Sequence, residues 1–114
     1  MISLCVLDVS RLTFSDSMKN KIQTLIDYAL IKSNEVQKII LFGSLARADQ
    51  KVTSDIDLLF ITSSLEDRYV KGDIASFYDM HNADAVFYSE DQFRDSKCLF
   101  VRQVRKDGIL LWSI

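Results

Sequence analysis

Apolar residues recur at helical spacing in three stretches of this chain and gather into short runs in four others. Met18, Ile22, Leu25, Ile26, Ala29 and Leu30 repeat every three to four positions, with Lys19, Lys21, Gln23 and Asp27 between them. That spacing predicts an amphipathic helix of about four turns. Ser15 or Asp16 is placed to cap its start and Asn34 to stop it. Ile39–Phe42 is an unbroken apolar run, which fits a strand covered on both faces. Gly43 ends it. Ser44–Asp49 predicts a turn or two of helix, and 50–54 a polar loop. Asp55–Thr62 predicts a second buried strand. Val70, Ile74, Phe77 and Tyr78 form the stripe of a helix from Glu66 to about Met80, in spite of Gly72. Asp84–Tyr88 predicts a third strand. A short helix follows from Ser89 or Glu90 to about Ser96, then a further helix or extended turn over Cys98–Lys106. Gly108 stops that one, and Ile109–Trp112 predicts a terminal strand. The loose alternation over residues 2–9 suggests a peripheral strand.

Helices interleaved with strands give an α/β (α+β) class, with helices packed on a small mixed sheet. At 114 residues, the chain is expected to form one domain over 1–114. With 48% hydrophobic residues it can bury a core, which argues against disorder. A formal net charge of −2 argues against a protein that grips extended nucleic acid by neutralising phosphates. It leaves a nucleotide open, because a bound metal can bring the positive charge. Cys5 and Cys98, both among apolar residues, are expected to be buried free thiols. Neither a signal peptide nor a membrane span is read, so the expected location is cytoplasmic.

Candidate chemistry lies at two strand ends. A glycine closing a strand lets a ligand approach the backbone, and the first N–H groups of a following helix favour an anion. Ser44 adds a hydroxyl. Asp55 and Asp57, at i and i+2 on a strand, leave the same face about 7 Å apart. Two carboxylates there suit a cation, and Mg²⁺ takes such hard oxygen ligands alongside substrate phosphates. Phosphate donors beside metal carboxylates are the layout of phosphoryl transfer.

The stretch GSLARADQKVTSDIDLLF resembles the signature of the polymerase-β-type nucleotidyltransferases. It is most similar to their minimal nucleotidyltransferase (MNT) group, whose pattern is G-S-x-A-R-G, a short polar loop, then S-D-I-D-L. Gly43, Ser44, Ala46, Arg47, Ser54, Asp55, Ile56, Asp57 and Leu58 match. Ala48 stands where the group has glycine. The resemblance implies transfer of AMP from ATP with Mg²⁺ and loss of pyrophosphate. Gly43, Ser44, Arg47 and Ser54 would bind nucleotide, with Arg47 touching the triphosphate or bracing the loop. Asp55 and Asp57 would hold metal. It also implies a third carboxylate on a later strand, and Asp84 fits as metal ligand and general base. Asp73, Asp79 and Asp91 are weaker candidates. The implied partner is a HEPN-type ribonuclease toxin, modified on a tyrosine and so neutralised, with an oligomer formed together with that partner. The alternatives are neutralisation by binding alone, or transfer to a small hydroxylated acceptor. His81 is expected at a helix end, and Tyr69, Tyr78 and Tyr88 in the core or at its boundary. Trp112 would anchor the last strand.

Overall fold

A computed structural model describes residues 15–43, 46, 56–64 and 67–114. In chain order these form α1 (Asp16–Lys32), β1 (Val36–Phe42), β2 (Ile56–Thr62), α2 (Arg68–Asp79), β3 (Ala83–Ser89), α3 (Glu90–Asp95), α4 (Leu99–Asp107) and β4 (Ile109–Ser113). The strands make one mixed sheet in the order β3-β2-β1-β4. β1 is antiparallel to both β2 and β4, and β2 is parallel to β3. The α/β reading and the mixed sheet therefore hold. The expected strand at 2–9 and the short helix after Gly43 lie outside the described residues, apart from Ala46.

Local side chains start the helices. Ser15 accepts from the Met18 N–H and Asp67 from the Tyr69 N–H, each satisfying an amide with no partner inside its helix. Ser89 and Gln92 form a reciprocal capping box at α3. α1 ends at Ser33 rather than Asn34, because Ser33 is already extended while its N–H still reaches the Ala29 carbonyl.

The sheet separates two apolar layers. On one face, Ile22, Leu25, Ile26 and Ala29 of α1 and Ile74 and Tyr78 of α2 pack on Val36, Ile39, Leu41, Ile56, Leu58 and Phe60. On the other, Val104 of α4 packs with Leu59 and Ile61, joined by Ile40, Phe42, Val86, Tyr88, Phe93 and Phe100. β1 starts three residues earlier than its apolar run suggested. A register shift between Val36 and Lys38 lets Val36 face the same core as Ile39, despite an odd spacing.

One buried bond ties the helical layer together. The Tyr78 hydroxyl donates to the Leu25 carbonyl at 2.6 Å, and burial holds that phenol protonated well above the usual tyrosine range. Tyr78→Phe is expected to cost about 1–2 kcal/mol in urea unfolding. A pKa raised by folding gives stability that is full below the unfolded value of 10.0 and falls as pH rises above it. The Phe variant should lose that alkaline dependence.

Two expectations from sequence are corrected. Cys98 is exposed, not buried, because it occupies the N-cap of α4. There the Ser96 hydroxyl, 3.1 Å from Sγ, and then the Val101 N–H hold the thiol below its ordinary range. Tyr69 is 71% exposed, since it lies in the first turn of α2, with the Arg68 guanidinium over its ring. Cys5 lies outside the described residues.

Candidate active site

Three of the seven candidate residues, Gly43, Asp57 and Asp84, are described, and all three lie at the same end of the sheet. Asp57 and Asp84 are register partners in the parallel β2–β3 pair. Register partners in a parallel pair project to the same face from strands about 4.8 Å apart. That face is the one α4 covers, because Asp57 and Asp84 share the alternation of Leu59, Ile61, Val86 and Tyr88. Asp57 is half-buried and Asp84 is exposed at the edge of the described sheet.

The end of α2 sets that register. The His81 Nδ1–H donates to the Phe77 carbonyl, 2.8 Å away, and its ring lies tilted against that of Phe77. It thus closes the helix, the helix-end role expected of it. Asn82 then takes a left-handed backbone, φ 55°, which asparagine tolerates better than most residues. Its carbonyl accepts the Ile56 N–H at 3.3 Å. The start of β2 is therefore bonded to the turn that launches β3, which sets Asp84 beside Asp57.

Gly43 closes the arrangement from the β1 side. Phe42 pairs with Asp57 across the antiparallel ladder, and Gly43 turns with φ +79°. A Cβ at Gly43 would overlap an Asp57 carboxylate oxygen and lie 3.2 Å from its Cγ. The chain thus turns directly against the carboxylate, in a conformation that side-chain-bearing residues rarely adopt. Beyond the turn, Ala46 packs back onto the α1/α2 core. Ser44, Arg47, Ser54 and Asp55 lie outside the described residues.

These contacts fit a divalent cation. Two hard oxygen donors face the same way from adjacent strands, one of them seated directly against the Gly43 turn. Among the described residues no group of three or more His, Cys, Asp or Glu side chains converges, so the described share of the site is this pair.

A family model described as polymerase beta, nucleotidyltransferase, matches residues 20–114. The chain belongs to the polymerase beta nucleotidyltransferase family. No curated protein matches this nucleotidyltransferase. Its fold is similar to that of a toxin–antitoxin crystal structure with AMP-PNP, at 25% identity and TM-score 0.59, over 83% of this chain and 73% of that one. It is also similar to a protein from Sulfolobus solfataricus described as a nucleotidyltransferase, at 20% identity and TM-score 0.58, over 89% and 90% of the two chains. A third likeness is to a tri-AMPylated Shewanella oneidensis HEPN toxin in complex with its MNT antitoxin. There identity is 23% and TM-score 0.53, over 83% of this chain and 69% of that chain. At 20% and 23% identity the last two establish a shared fold. No helix among the described residues is long and apolar enough to cross a membrane.

One part of the site's surroundings carries little signal in the sequence. A cleft of about 230 Å³ opens beside Gly43, lined by Phe42, Phe100, Gln103, Val104 and Asp107. Four of those five residues lie on α4, whose placement over β1 depends on contacts distant in sequence. The only local signal is the glutamine and aspartate four residues apart.

Proposed function

We propose that this nucleotidyltransferase moves AMP from ATP, with Mg²⁺, to a tyrosine hydroxyl of a HEPN-type toxin, and so acts as its antitoxin. The observation that carries the reading is the pairing of Asp57 with Asp84 beneath the Gly43 turn. Family membership supports the reaction class. Likeness to a toxin–antitoxin structure with AMP-PNP and to an MNT antitoxin bound to an AMPylated HEPN toxin supports the donor and the partner.

In this reading Asp55, Asp57 and Asp84 hold the metal. Mg²⁺, when bound, supplies charge neutralisation at the phosphates. The Gly43 turn, Ser44, Ser54 and Arg47 hold and orient the triphosphate. The acceptor hydroxyl oxygen bonds to the α-phosphorus as the bond to pyrophosphate breaks. Asp84, the exposed member of the pair, takes the hydroxyl proton. An exposed edge position suits this role, because a protein-borne hydroxyl must reach the carboxylate from outside.

Nucleotide binding is testable without the partner. A ligand that binds only the folded state raises stability by RT ln(1 + [L]/Kd), about 2.7 kcal/mol at a hundredfold excess over Kd. ATP with Mg²⁺ should therefore raise the melting temperature by several degrees. An unchanged melting temperature at millimolar ATP and Mg²⁺ would refute the reading.

A further inference from the structure

We propose that the cleft beside Gly43 is the nucleobase subsite, and that Gln103, held by Asp107, selects bases carrying an exocyclic amine at purine position 6 or pyrimidine position 4. The inference rests on the nucleotidyltransferase reading and adds to it the part of the nucleotide that the carboxylates and the turn do not address.

Position comes first. The cleft lies on the same sheet face as Asp57 and Asp84, and Gly43 belongs to both the cleft and the phosphate turn. Phe42, one of the residues lining it, is the direct cross-strand partner of Asp57. Across this face the strands place Asp84, Asp57 and Phe42 side by side in that order, and the cleft opens at Phe42. A nucleotide with its phosphates at the turn and the carboxylates reaches the cleft on the β1 side. The β3 side is left to the acceptor.

The chemistry of the walls comes second. Phe42 and Phe100 meet edge-to-face, with ring centroids 5.1 Å apart, and Val104 continues the apolar surface. The polar side chains of the lining are Gln103 and Asp107, one turn apart on α4 and bonded to each other. A flat heteroaromatic ring with a polar edge fits that division. A purely aliphatic ligand would leave the polar pair unused, and a sugar would leave the aromatic wall uncovered.

The polar pair also has a direction. The Gln103 Nε2 donates to Asp107 Oδ2 at 3.1 Å. An ionised carboxylate can only accept, so it must face the amide nitrogen and not the amide oxygen. Gln103 is exposed and Asp107 half-buried, so the bond biases which end the glutamine presents. Oε1 is left as an oriented acceptor. An exocyclic amine donates to it, whereas the oxo group of guanine or uracil sets two acceptors against each other.

Selection by an acceptor differs from selection by size. It predicts that ATP and CTP bind together as the favoured pair, with GTP and UTP both weaker by about tenfold, one hydrogen bond's worth of discrimination. Each affinity would be measured by calorimetry on the whole chain with Mg²⁺. Gln103→Leu should reduce the amino-over-oxo ratio to near one. Asp107→Asn should do the same by a different route, since an asparagine amide lets the glutamine turn over. Gln23 donates to Asp27 in the same i,i+4 manner on α1, which packs on the opposite face, so Gln23→Leu should leave the ratio unchanged. Circular dichroism melts would confirm that the variants fold. Equal affinities for all four nucleotides, a purine-over-pyrimidine order, or an amino preference that survives both α4 substitutions would overturn the subsite. Failure of all four nucleotides to bind would overturn the nucleotidyltransferase reading and the subsite with it.

Discussion

Replacing Asp84 by asparagine is expected to lower the rate of AMP transfer by about 10²–10⁴, the usual contribution of a positioned general base. The substitution keeps the shape of the side chain and removes both its charge and its capacity to take a proton. Stability should stay within about 0.5 kcal/mol of the parent, because Asp84 is exposed and an amide of the same shape fits the same position. Any change should be a slight gain, since the substitution removes one of two carboxylates in register on the same face. Initial rates at saturating ATP and Mg²⁺, together with urea unfolding, separate the two effects. A variant that folds normally and transfers AMP within tenfold of the parent would remove Asp84 from the mechanism.

Gly43→Ala is expected to damage fold and activity together. At φ +79° a non-glycine residue carries a backbone cost of about 1–2 kcal/mol. The new methyl also collides with the Asp57 carboxylate. Either the turn moves away from β2, or Asp57 rotates away from Asp84. Both outcomes spoil the site, so transfer should fall well beyond what a loss of about 1–2 kcal/mol from a stable domain explains. Urea unfolding measures the first loss, and rates on the remaining folded protein measure the second. Parent-like stability and rate in the alanine variant would mean that the turn does not press on Asp57.

Much of the fold is legible in the amino-acid sequence, because its elements announce themselves locally. The stripe through Ile22, Leu25, Ile26 and Ala29, the cap at Ser15 and the capping box at Ser89 each need only a few neighbouring residues. Features that depend on distant partners are harder to read. β1 begins at Val36 because a bulge brings that residue into line with Ile39, and the polar Gln37 and Lys38 hide this. Cys98 looks buried among apolar neighbours, yet it caps α4 with its thiol exposed. Asp57 and Asp84 can each be placed at a strand start. Their pairing depends on the closing turn of α2, on Asn82 in its left-handed conformation and on the Ile56 bond, none of which shows in a periodicity. The cleft beside Gly43 is hidden for the same reason, since it exists only once α4 lies across Phe42.

The most direct measurement is the intact mass of a HEPN-type partner toxin co-expressed with this chain, followed by peptide mapping of any added mass. With the parent chain the toxin should be heavier by one or more AMP units, carried on tyrosine, and with the Asp84→Asn variant it should be unmodified. Toxin that is neutralised by the parent chain yet carries no AMP would contradict neutralisation by AMP transfer.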